Sequence, residues 1–225
     1  MTEIRRNGDG QVLGPRTERR SYDEQLLAQP SLIDGVSVAG RRAFDYYATP
    51  AWMTLALLRR VPLFDVLEPC SGEDAIANVL RANDLAVTTN DADPARPAAT
   101  HLDATQRETW EQLSPRPYRH GCPFWAVTNP PFSLADALVP LAVEHSIKVA
   151  MLLRLSWLEP TAARQRFLSM HPPSRLIVLP RHDFRGAGAT DSVTSAWFVW
   201  DDSGRRGVEV VTKDERDELI ALGRP

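Results

Sequence analysis

The feature that most constrains this chain is an alternation. From Val61 to Trp200, short apolar runs that can form buried strands take turns with segments whose apolar residues recur every three or four positions. VPLFDVLEP reads as a strand, and EDAIANVLRAN as a helix with Ile76, Val79 and Leu80 along one face. LAVTTND and FWAVTN are strands, separated by a loop carrying HLDAT and a short helical stretch, TQRETWEQL. SLADALVPLAVEH is a helix with Ser133 at its cap, Asp136 completing a capping box, and Pro140 expected to kink it. IKVAMLLRLSW is a strand, PTAARQRFLSM a helix opened by proline, and RLIVLP and SVTSAWFVWD are strands. Upstream, Thr49 supplies a capping hydroxyl and Pro50 the first turn of a helix through Trp52, Leu55 and Leu58. Strand and helix at this spacing predict a doubly wound α/β fold, a mostly parallel sheet with helices on both faces. No helix separates the last two strands, so they are expected to pair as an antiparallel hairpin at one edge.

The boundaries follow from where the pattern fades. Residues 1–40 carry few apolar side chains and no period, and read as a flexible N-terminal extension. The folded domain spans 41–205, and 206–225 reads as a C-terminal tail. No run approaches the roughly 18 apolar residues of a membrane span, and MTEIRRNGDG lacks a signal-peptide core. A cytoplasmic protein with no membrane partner is therefore expected. Cys70 and Cys122 are too few for a disulfide framework and too distant for a metal pair. His101, His120, His145, His171 and His182 show no metal spacing, so no metal is expected. A net charge of −3 argues against nonspecific coating of nucleic acid but permits a local basic groove.

In sheets of this kind, ligands bind beyond the carboxyl ends of the strands. The first strand leads into Glu68-Pro69-Cys70-Ser71-Gly72, an acid followed by a turn whose glycine lets a ligand approach the backbone. A plain strand-to-helix connection fits that segment equally well. Asp91, after the second strand, could meet a ribose diol or cap the next turn. Asn129-Pro130-Pro131-Phe132 follows an apolar strand and precedes a helix. Two prolines remove two backbone donors and stiffen the loop, which then offers carbonyls and an amide as acceptors beside a phenyl ring. That combination suits a flat substrate bearing an amino group. Trp197 and Trp200 alternate with apolar neighbours and read as sheet packing.

Taken together and in this order, Phe44 to Pro50, Glu68 to Gly72, Asp91, Asp103 and Asn129-Pro130-Pro131-Phe132 resemble the S-adenosylmethionine-dependent amino-methyltransferases. The resemblance covers about residues 44 to 200 and is nearest to adenine-specific (N6) DNA methyltransferases, including small phage-type members. It implies a Rossmann-like class I fold with a seven-stranded, mostly parallel sheet ending in an antiparallel hairpin. It also implies S-adenosylmethionine as cofactor and DNA, presented as a flipped adenine, as substrate in a bacterial or phage-infected cell. The family pattern places Tyr47, Thr49, Pro50, Glu68, Pro69, Cys70, Gly72, Asp91, Asp103 and Asn129 around the cofactor. Within it, Asp91 meets the ribose and Asp103 the cofactor's adenine. Asn129, Pro130, Pro131 and Phe132 form the catalytic loop.

The chain departs from the family in two respects. Asp74 stands where a second glycine is usual, so the cofactor's methionine end is expected to approach differently. No segment is long enough for a separate target-recognition domain, which leaves base selection to loops such as RHDFRGAGATDS and to the arginine-rich N-terminus. Arg181 and Arg185, flanking His182 near Gly186 and Gly188, are the expected phosphate contacts. Other acceptors use the same motif, an RNA base or a protein glutamine amide. A SAM- or nucleic-acid-binding module without turnover is the remaining alternative.

Overall fold

The computed structural model describes residues 48–113, 124–182 and 193–223. The N-terminal extension, Tyr47 and Arg185 lie outside these residues. Seven strands form one sheet: β1 (Val66–Glu68), β2 (Val87–Thr89), β3 (Trp125–Thr128), β4 (Lys148–Arg154), β5 (Arg175–Val178), β6 (Ser195–Trp200) and β7 (Gly207–Val210). Their order is β2-β1-β3-β4-β6-β5-β7. The pairs β1–β2, β1–β3, β3–β4 and β5–β7 are parallel, while β6 runs antiparallel to both neighbours.

The fold class is as the sequence predicts, with one correction of position. β5 and β6 do pair antiparallel, but β6 lies inside the sheet, in register with β4 from Val149↔Trp200 to Arg154↔Ser195. Burial explains this. Every residue of Ser195–Trp200 is buried, and a strand so apolar needs neighbours on both sides. The edge belongs to β7, whose Val208 and Val210 are exposed. β7 and a following helix occupy most of the span 206–225.

Period-two alternation divides the sheet's side chains between two cores. Trp125, Val127, Trp197 and Val199 point to one face, where α1 (Ala51–Leu58), α2 (Ala75–Arg81) and α6 (Lys213–Leu222) supply Trp52, Leu57, Ile76, Leu80 and Leu219. Ala126, Met151, Leu153 and Phe198 point to the other. There α3 (Arg107–Leu113), α4 (Ala135–His145) and α5 (Ala162–Met170) supply Trp110, Leu138 and Phe167.

Two expected helix caps are not caps. α1 starts after Pro50 with no side-chain cap bond, because the Thr49 hydroxyl is engaged elsewhere. Phe132–Leu134 form a 3-10 turn, so α4 begins at Ala135 without a cap from Ser133 and continues through Pro140. Asp136 instead accepts from Trp157 Nε1 at 2.9 Å and from Arg164 Nε at 2.7 Å, tying α4 to the segment after β4. Thr161 and Thr212 do cap their helices, accepting from Arg164 N and Glu215 N. α6 is clamped to α1 by Arg59 on Glu218 and Arg60 on Glu215, each pair two-pronged. Among the described residues no helix is long and apolar enough to cross a membrane.

Candidate functional site

A cleft of about 850 Å³ opens at the carboxyl ends of β1, β2 and β3. Its shape is set by the loops leaving those strands. After Glu68 the chain turns through buried Gly72, which sits at φ 54°, a conformation that side chains disfavour. Gly72 N donates to Asp91 Oδ2 at 2.8 Å, and Ser71 N donates to the Asn90 carbonyl at 3.0 Å. The turn after β1 is thus held by the end of β2.

Asn90 ties these loops together. Its side chain is fully buried; Nδ2 donates to the carbonyls of Pro69 at 3.0 Å and Leu102 at 2.9 Å. Its Oδ1 accepts from Thr100 Oγ1 at 2.8 Å and Leu102 N at 3.0 Å. All four bonding positions of the amide are used, which makes the residue a structural keystone. Nothing in the local sequence marks Asn90 beyond its place at the end of the second strand. Its role depends on the Thr100–Leu102 loop folding back beside β2, which no local pattern announces.

The acids differ in environment. Glu68 is 1% exposed, lines the cleft, and its Oε2 has no hydrogen-bond partner. Burial, then the neighbouring carboxylates of Asp74 and Asp91, pushes its carboxyl well above the usual range, against the pull of the Ala77 backbone and Arg81. Asp91 lines the cleft and also accepts from Asp93 N at 2.9 Å, so it shapes a turn and faces the cavity at once. Asp103 lines it too, while accepting from Thr105 N at 2.9 Å and Thr105 Oγ1 at 2.7 Å. Burial and the nearby Asp91 and Glu68 push the Cys70 thiol up, so it is not a reactive nucleophile.

Asp74 takes φ 58°, the left-handed conformation a glycine would take at that place. Its Oδ2 accepts from Arg81 Nη1 at 2.7 Å, and the residue does not line the cleft. The side chain is turned out of the way instead of being dispensed with. Arg96 lines the cleft, which sequence reasoning missed; it is paired with Glu73 and, at 3.2 Å, with Asp93.

Opposite the acids stands the loop after β3. Asn129, Pro130, Pro131 and Phe132 all line the cleft with Thr49, Pro69 and Cys70. Asn129 Nδ2 donates to Thr49 Oγ1 at 3.0 Å. Thr128 Oγ1 donates to the Cys70 carbonyl at 3.3 Å, joining this loop to the turn after β1. Pro131 O accepts from Leu134 N at 2.9 Å, closing the turn that presents Phe132. Pro50 and Gly72 adjoin the cleft without lining it, and Arg181 is exposed on the segment after β5. The sequence-predicted residues from Thr49 to Phe132 therefore converge, although they come from five separate stretches of chain. No cluster of three potential metal ligands occurs among the described residues.

No protein-family model matches the chain, and no curated protein matches it. Solved structures do share its fold. A type I restriction-modification system methyltransferase subunit from Streptococcus thermophilus aligns with a TM-score of 0.51 and 13% identity, over 78% of this chain and 52% of that one. A predicted O-methyltransferase from Agrobacterium tumefaciens aligns with a TM-score of 0.53 and 13% identity, over 77% of this chain and 96% of that one. The chain thus spans about half the length of the restriction-modification subunit. The fold is that of the Rossmann-like class I methyltransferases.

Proposed function

We propose that this protein transfers the methyl group of S-adenosylmethionine to the exocyclic N6 amine of adenine in DNA. The observation that carries this reading is the convergence of Asn129-Pro130-Pro131-Phe132 and the acid-lined turns after β1 and β2 on one cleft.

The donor set suits this cofactor. An orphaned, buried carboxylate oxygen on Glu68 favours a ligand with a cationic end, and Asp91 and Asp103 favour hydroxyl and amine donors. Arg96, the cation lining the cleft, is already neutralised by Glu73 and Asp93. S-adenosylmethionine supplies an electrophilic methyl on a sulfonium centre. Glu68 would face its ammonium, Asp91 its ribose and Asp103 its adenine amine.

The acceptor loop prepares the nucleophile. An aromatic amine is weak because its lone pair is delocalised into the ring. Hydrogen bonds from the amine to Asn129 Oδ1 and the Pro130 carbonyl would favour a pyramidal nitrogen whose lone pair points towards the methyl. With Nδ2 donating to the Thr49 hydroxyl, Oδ1 would be the end of the amide that accepts from the substrate. The nitrogen's proton becomes acidic as the new bond forms and leaves to solvent, so no strong base is needed. Phe132 would stack on the base, which must leave the duplex to reach it. One fold neighbour is described as a restriction-modification methyltransferase subunit and the other as an O-methyltransferase, so the acceptor is argued from the loop and not from the fold.

The test is tritiated methyl transfer to unmethylated DNA, total RNA and a protein extract in parallel. Label recovered as N6-methyladenine in DNA is the expected result. Label in RNA or in protein glutamine would replace the acceptor, and cofactor binding with no transfer to any acceptor would leave a binding module.

A further inference from the structure

Arg154 closes β4 beside the acceptor loop, and its situation is unusual for an arginine. It is half-buried, its Nε is buried with no hydrogen-bond partner, and no carboxylate among the described residues pairs with it. Its guanidinium instead lies over an aromatic ring, with the guanidinium carbon 4.6 Å from the centroid of Phe132. Phe132 lines the cleft and Arg154 does not. Backbone pairing fixes where Arg154 stands, through the Arg154↔Ser195 register and Leu155 N donating to the Thr194 carbonyl at 2.8 Å. Phe132, by contrast, sits on a short 3-10 turn with no side-chain cap.

We propose that Arg154 is a positioning residue that holds the Phe132 ring as the platform for the acceptor, and that the acceptor completes a three-layer stack of guanidinium, phenyl and planar heteroaromatic base. This rests on the methyl-transfer reading above and deepens it by specifying the acceptor. A cation over one ring face attracts the ring's π electrons, which fixes the ring's orientation and depletes its other face. A depleted face stacks best on an electron-rich heterocycle such as an aminopurine, and gains far less from a small amide. An anchored ring also removes a rotamer search from acceptor binding.

The test is acceptor-dependent methyl transfer to unmethylated duplex DNA, to a deoxyadenosine-rich single strand and to a protein extract. It compares the wild type with Arg154→Met, Arg154→Lys, Phe132→Leu and the Arg154→Met/Phe132→Leu double variant. Thermal melting and cofactor binding are measured on each protein as controls for folding. Arg154→Met should lower kcat/KM for the acceptor about 3- to 30-fold, mainly through KM, with cofactor affinity unchanged. Arg154→Lys should restore most of the loss, since an ammonium can also sit over the ring. In the Phe132→Leu background, Arg154→Met should add nothing, because the ring it acts through is gone. Wild-type transfer with no effect of Arg154→Met, or losses that simply multiply in the double variant, would overturn the positioning role and leave the methyl-transfer reading standing. Transfer by the wild type to a protein amide and not to nucleic acid would overturn the stacked heterocycle. No transfer to any acceptor would overturn both readings.

Discussion

Asn129 donates its side-chain amide to the Thr49 hydroxyl at 3.0 Å, across 80 positions of sequence. That hydrogen bond helps to hold the residue that would activate the substrate. Asn129→Ala should abolish methyl transfer while cofactor binding, measured by calorimetry, persists. Thr49→Val keeps the shape and removes the acceptor. It should cost about 0.5–1.5 kcal/mol of stability in denaturant titration and reduce turnover far more than it weakens cofactor binding.

The burial of Glu68 gives a pH signature. A carboxyl held well above its ordinary range in the folded protein keeps its proton where the unfolded chain has lost it. Stability therefore falls as pH rises from the ordinary glutamate range towards the raised folded value, and stays lowered above it. Glu68→Gln should raise the melting temperature at pH 8 and change it little at pH 4. The same variant should bind cofactor weakly at either pH. The wild type should bind a cationic cofactor more tightly as pH rises, with release of a proton seen as buffer-dependent binding heat.

The two left-handed positions of the first turn should respond oppositely. Gly72→Ala forces a side chain into φ 54° and should cost about 1–2 kcal/mol in denaturant titration. It should also loosen the Asp91 contact and weaken cofactor binding. Asp74→Gly relieves the same kind of strain and removes a buried carboxylate with one unpartnered oxygen, gains that offset the lost ion pair with Arg81, so stability should stay within about 1 kcal/mol of wild type. Cofactor binding by Asp74→Gly should survive, because Asp74 does not line the cleft.

Grip on DNA should be local, given a net charge of −3. Replacing Arg181 and Arg185 by alanine should flatten the salt dependence of DNA affinity by up to about two units of slope, one per lost phosphate contact. Deleting residues 1–20, with their five arginines, should flatten it less. A titration in which the deletion takes most of the slope would reverse the assignment.

The strand-helix alternation was legible because burial on both faces leaves near-continuous apolar runs; Glu68, Asp91 and Asn129 were legible as strand-end residues, and Asp103 only through the family resemblance. What escaped depended on partners distant in sequence. Thr49 looks like a cap from its neighbours alone, and only the return of β3 beside α1 gives its hydroxyl another use. Ser133 followed by Asp136 matches a capping box, yet the 3-10 turn at Phe132 displaces the helix start, and Trp157 and Arg164 claim the carboxylate. β6 reads as an edge hairpin strand until its full burial is known. Arg154 carries no motif, since its meaning lies in the register that sets β4 beside the acceptor loop.

The clamp between α6 and α1 gives assembly an order opposite to that of synthesis. α1 leaves the ribosome before the other described elements, with Thr49 at its threshold, but Arg60 must wait 155 residues for Glu215. Until α6 emerges, Arg59 and Arg60 at the end of α1 lack their partners Glu218 and Glu215. A nascent chain can thus gather its strands first and complete its acceptor cradle only once α6 is available. Loops joining such distant ends are costly to close, so completion of this corner should be the slow step in folding.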